Sequence, residues 1–201
     1  MKWTIRKSFI WPGVSVLFLW SCSVSQWVHK QSNDPQVVVI KAAGFEEGQK
    51  PEGPDAITEA TSKGRNVHVI CDALRHTLEE SGVETEVIRF NDYERIRRLS
   101  KNASVRMIVF AGPAYSSRFP RQLKDVVPKL QSHILEQHIV CTSMTTCRFM
   151  DSGGWTVQSF NNALQQSGVQ TMDGLVIHHE YEDKDWERNV RTFAAKIQER
   201  L

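Results

Sequence analysis

The chain has little of what marks the specialised protein classes. Four cysteines in 201 residues are too few to staple a fold of this size, and a domain this long buries enough surface to need no staples. No apolar stretch exceeds the twelve residues from Phe9 to Trp20, which at 1.5 Å per residue falls well short of a ~30 Å bilayer core. Neither sign of charge dominates, with 25 Lys and Arg against 23 Asp and Glu. The nearest basic cluster, Arg95, Arg97 and Arg98, is a single helical turn, so no nucleic-acid partner is expected. The dinucleotide motif Gly-x-Gly-x-x-Gly, the P-loop and the Gly-x-Ser-x-Gly elbow of hydrolases are all missing. His178-His179-Glu180 invites a metal, but neighbours on a strand point to opposite faces, so none is expected.

What is present begins with an export signal. Lys2, Arg6 and Lys7 precede the apolar run, and Leu19-Trp20-Ser21-Cys22 follows it. That tetrapeptide resembles the bacterial lipobox, in which the cysteine is acylated and becomes the new N-terminus. The expected organisation is a signal over residues 1–22 with Cys22 as the lipidation site, a polar tether over 23–35 and one folded domain over 36–201. The alternative is a signal cut elsewhere or an uncleaved anchor. Either anchor places the domain in the cell envelope, outside the cytoplasm.

The domain alternates strand and helix five times. Val37 to Ile40, Val83 to Phe90, Val105 to Ala111, Ile139 to Cys141 and Leu175 to Ile177 read as strands. Helical stripes recur over residues 66–81, around Tyr93, Ile96 and Leu99, from Pro120 to Leu130 with Pro128 expected to bend or shorten it, around Val157, Phe160 and Leu164, and from Trp186 to Leu201. Such alternation implies right-handed crossovers and a doubly wound α/β sheet. Ligands then bind outside the carboxyl ends of the strands, where the winding reverses.

The loop after the third strand reads Gly112-Pro113-Ala114-Tyr115-Ser116, followed by Pro120, Leu123 and Lys124. This pattern resembles the flavodoxin-like family of FMN-binding flavoproteins. The resemblance implies a three-layer sandwich with a five-stranded parallel sheet of order 2-1-3-4-5 and a flavin mononucleotide (FMN) cofactor, with the Tyr115 ring against the isoalloxazine. By the same resemblance Ser62, Lys63, Gly64, Arg65 and Asn66 would form the phosphate turn. Here Gly64 is out of register and Val67 replaces a threonine, with Lys63 and Arg65 offering charge instead. Thr142, Gly153, Gly154 and Trp155 would line the fourth-strand loop beside the flavin edge. An acidic insert over residues 44–60 separates the first strand from the phosphate turn. Cys71 falls on a helical stripe as a small apolar residue, while Cys141 and Cys147 could pair as a disulfide or redox couple.

Two functions follow. One is a membrane-tethered flavin protein passing electrons, either as a carrier or as a reductase using NAD(P)H, with no acid or base residue assigned. The other is a flavodoxin-fold module that has lost its flavin and serves as an envelope binding or scaffold protein.

Overall fold

The first and third strands are too apolar to face water on either side and require helices above and below them, and that is the arrangement found. The computed structural model describes residues 34–42, 56–99, 101–114, 119–147, 150–178 and 185–201; for 56–66, 121–122 and 150 it describes the backbone only. The order is β1 (Val37–Lys41), α1 (Ala56–Glu80), β2 (Thr85–Arg89), α2 (Tyr93–Leu99), β3 (Met107–Pro113), α3 (Arg121–Glu136), β4 (Val140–Cys147), α4 (Met150–Gln166), β5 (Leu175–His178) and α5 (Trp186–Gln198). All four pairings are parallel and the sheet order is β2-β1-β3-β4-β5, so the expected winding is the one observed.

Side-chain alternation divides the core in two. Val38, Ile40, Ile108, Phe110 and Cys141 face α2, α3 and α4, where Phe160 meets Phe110 edge-on and stacks on Phe119 at 4.5 Å. Val37, Val39, Met107, Val109 and Met144 face α1 and α5, packing on Leu74, Leu78, Phe193 and Ile197. Gly82 and Gly168 end α1 and α4 with φ near +80°, the left-handed geometry that a glycine stop supplies. Leu201 lies past α5 and is exposed.

Two helices differ from expectation. Pro128 sits inside α3, which continues to Glu136. Its ring is on the exposed face, where the carbonyl deprived of a partner can meet water. Helix α1 starts at Ala56 rather than near Asn66.

The edge strand β5 carries an irregularity. Cys141 bridges Thr171, just ahead of β5, whereas Met144 pairs with Leu175, so three steps on β4 match four on the segment leading into β5 and one extra residue bulges between them. Thr142 Oγ1 donates to the carbonyls of Met172 and Asp173, and Asn161 Nδ2 donates to that of Met172, so side chains satisfy the carbonyls that the ladder leaves.

Candidate functional site

The carboxyl rim of the sheet is built from the ends of β1, β3, β4 and β5. At β3, Gly112 is required by packing: a Cβ there would lie 2.8 Å from the Pro120 ring and 3.3 Å from Leu123. Half of the loop pattern is therefore a single contact that seats the start of α3 against the strand. The Ala114 amide donates to the Thr146 carbonyl and Thr145 Oγ1 donates to the Gly112 carbonyl, both at 2.8 Å, which fixes Pro113 and Ala114 as a buried wall. Beside it, in register with Pro113, Thr146 is 2 % exposed and its Oγ1 has no hydrogen-bond partner among the described residues. A buried hydroxyl without a partner is costly in an all-protein environment.

At the end of β1 the apolar run gives way to Lys41, only 8 % exposed. Its Nζ lies 2.7 Å from His68 Nδ1 on α1. An ammonium can only donate, so Nδ1 accepts and the ring proton sits on Nε2, which faces Asp72 Oδ2 at 3.3 Å. Asp72 Oδ1 in turn is 3.9 Å from Arg75. Cys71, between these helix residues in sequence, is fully buried; burial pushes its thiol up to about 12, with the Lys41 charge pulling the other way. None of Lys41, His68, Asp72 or Thr146 was singled out from the sequence. The signals available were a lone charge closing an apolar strand and a His-x-x-x-Asp spacing on one helix face.

No family model and no curated protein matches the sequence. Solved structures do. The oxidised flavodoxin 1 of Bacillus cereus is similar with a TM-score of 0.55 at 18 % identity, over 82 % of this chain and 98 % of that one. A Fusobacterium nucleatum flavodoxin bound to flavin mononucleotide gives 0.56 at 8 %, over 81 % and 97 %. The Flv1 flavodiiron core of Synechocystis sp. PCC6803 gives 0.59 at 14 %, over 92 % of this chain but 41 % of that one. The fold is flavodoxin-like. At these identities the likeness speaks for architecture alone.

Within the flavodoxin-like frame the expected site residues part company. Gly112, Pro113 and Ala114 stand at the rim; Tyr115, Ser116 and Cys22 lie outside the described residues. Ser62, Lys63, Gly64, Arg65 and Asn66 do not form a turn ahead of a helix. Their backbone is already helical, so their amides are bonded along α1 instead of being free for a phosphate. Because Lys41 at the strand end meets His68, α1 has run about twelve residues, roughly 18 Å, before it reaches the rim.

Thr142 belongs to the buried first half of β4, not to a loop, and its hydroxyl is engaged by the β5 bulge. Gly153 and Gly154 lie in the first turn of α4 instead of preceding it. Gly153 packs against Cys147 and Val176, while Gly154 faces open space. Trp155 is 68 % exposed beside them and so is no part of the core. Cys141 and Cys147 are both free and buried on one strand, six residues or roughly 20 Å apart, beyond the reach of a disulfide. Among the described residues no group of three His, Cys, Asp or Glu could hold a metal.

Proposed function

We propose that this protein is a membrane-tethered, flavodoxin-like electron-transfer protein that binds FMN at the carboxyl rim. The observation that carries the reading is the Thr146 hydroxyl beside the Gly112-Pro113-Ala114 wall, a buried polar group without a partner among the described residues, at the place where the winding reverses. The donor set fits the group. Thr146 offers a hydroxyl, Pro113 and Ala114 a dry wall, and Lys41 a buried cation. When bound, the isoalloxazine supplies the one- and two-electron chemistry. The chain's part is to hold it: Pro113 and Ala114 exclude water, Thr146 bonds the ligand's polar edge, and Tyr115, by resemblance, covers the ring. A carrier and an NAD(P)H-dependent reductase both suit this arrangement.

The test is direct. The purified full chain mixed with FMN is expected to keep a visible absorption band through gel filtration, and a colourless protein overturns the reading. Anchoring is tested separately. Cys22→Ala is expected to release the protein from membranes if the lipobox-like segment is acylated, and undiminished retention points to an uncleaved anchor.

A second reading, an envelope binding or scaffold module without flavin, is favoured by one observation: the helical backbone of residues 62–66 removes the expected phosphate turn.

A further inference from the structure

The two faces of the sheet are covered differently. On one, α1 and α5 pack directly on each other, whereas on the other α3 and α4 stay apart and leave a cleft of about 560 Å³ between them. The side of α4 that borders it carries Ser159, Ala163 and Ser167, too short to reach across to α3. Its floor is apolar: Phe160 and Leu164 are buried there, with Phe119 stacked on Phe160 at 4.5 Å between ring centroids. A space of this size suits a small ligand.

The cleft also holds one unanswered polar group. Pro128 has no N–H, so the carbonyl of Lys124, four residues earlier in α3, lacks its helical donor. Both residues line the cleft, which puts that carbonyl on the cleft side of the helix. The neighbouring polar groups are engaged elsewhere. Thr156 and Ser167 turn their hydroxyls back to the Ser152 and Ala163 carbonyls of α4, and Gln131 Nε2 reaches the Ser167 carbonyl at 3.5 Å. In the open cleft the Lys124 carbonyl can meet water. A ligand that covers it without offering a proton strips that water and returns nothing, whereas a ligand with a hydroxyl replaces it. Charge narrows the choice further. Among the described residues the Lys124 ammonium is the one charge lining the cleft, and no carboxylate lines it. That favours a weakly acidic hydroxyl, able to accept from the ammonium while it donates to the carbonyl.

We propose that the cleft between α3 and α4 binds a flat aromatic molecule bearing a hydroxyl, of the phenol or naphthol class, with the Lys124 carbonyl as its acceptor. The ring lies over Phe160 and Leu164, and selectivity for the hydroxyl rests on Pro128, which keeps that carbonyl out of the helix ladder. Flavin at the carboxyl rim plays no part in it.

The full chain is titrated with 2-naphthol and with 2-methoxynaphthalene, which has the same rings and an oxygen but no proton to donate, each followed by its own fluorescence. The wild type is expected to bind 2-naphthol about tenfold or more tightly than the ether. Pro128→Ala gives residue 128 an N–H for the Lys124 carbonyl and introduces the best helix former, so it is expected to fold and to bring the two affinities within about twofold of each other. Ala163→Leu fills the cleft and is expected to abolish binding of both. An excess of FMN is expected to leave 2-naphthol in place. The proposal is overturned if the wild type does not bind 2-naphthol or binds the ether equally well, if the ratio is unchanged in Pro128→Ala, if Ala163→Leu still binds, or if FMN displaces the naphthol. Should Ala163→Leu fail to fold, the ratio in Pro128→Ala decides.

Discussion

Single residues divide into those set by packing and those left for chemistry. Gly174 shows the first kind: a Cβ there would collide with the Ser143 carbonyl and with Val157. Gly174→Ala is expected to cost about 1–3 kcal/mol in urea unfolding, as overpacking does, whereas Gly154→Ala, with open space around it in a helix, is expected to gain about 0.5–1 kcal/mol. The thiols give a pH test. Burial raises Cys71 and Cys141 to about 12, so in the folded state they stay protonated while the unfolded chain ionises near 9. Their stabilising contribution is complete below pH 9 and is lost as the pH climbs from 9 toward 12, by about 1.4 kcal/mol per unit for each thiol. Cys141→Ala should flatten the fall in the urea midpoint between pH 8 and 10, and an unchanged slope would contradict the burial argument. What could be read of the site in advance was the Gly112, Pro120 and Leu123 spacing, since one packing contact enforces it. Lys41 was not legible, because nothing in Val-Val-Val-Ile-Lys tells a strand's last buried residue from the first residue of a loop.

At the scale of elements, the misread segment is β4. Thr142, Ser143, Thr145 and Thr146 suggested a hydroxyl-rich loop, yet β-branched hydroxyl residues serve a buried strand well once each oxygen finds a partner. Thr142 bonds the bulge, Ser143 donates to Asn161 Oδ1 at 2.9 Å and Thr145 bonds Gly112; only Thr146, the last, does not. Those partners come from distant parts of the chain, which is why sequence periodicity missed them. Asn161 joins Ser143 to the Met172 carbonyl, tying α4 to β4 and to the segment that leads into β5. Asn161→Ala is expected to destabilise the protein by about 1–3 kcal/mol, since it leaves the Ser143 hydroxyl unbonded and the Met172 carbonyl with Thr142 alone, and a loss below about 0.5 kcal/mol in urea unfolding would count against this tie. The start of α1 was lost for a related reason. Residues 56–66 lack a continuous apolar stripe, and the reading began the helix where Val67, Ile70 and Leu74 first reach the core.

For the whole molecule, alternation of strand and helix was enough to predict a doubly wound α/β sheet, because parallel strands need crossovers and crossovers have one hand, while the order 2-1-3-4-5 came from the resemblance carried by the third-strand loop. The described residues all belong to a unit spanning Asp34–Leu201. The bulge in β5 has a bearing on this unit's life among other copies. Its outer margin offers an incoming strand one rung at Thr171, then a dislocation, then only the short run Leu175–His178, so a sister molecule cannot zip along that side in continuous register. A flaw of one residue thus denies a newcomer an unbroken ladder along this margin of the sheet.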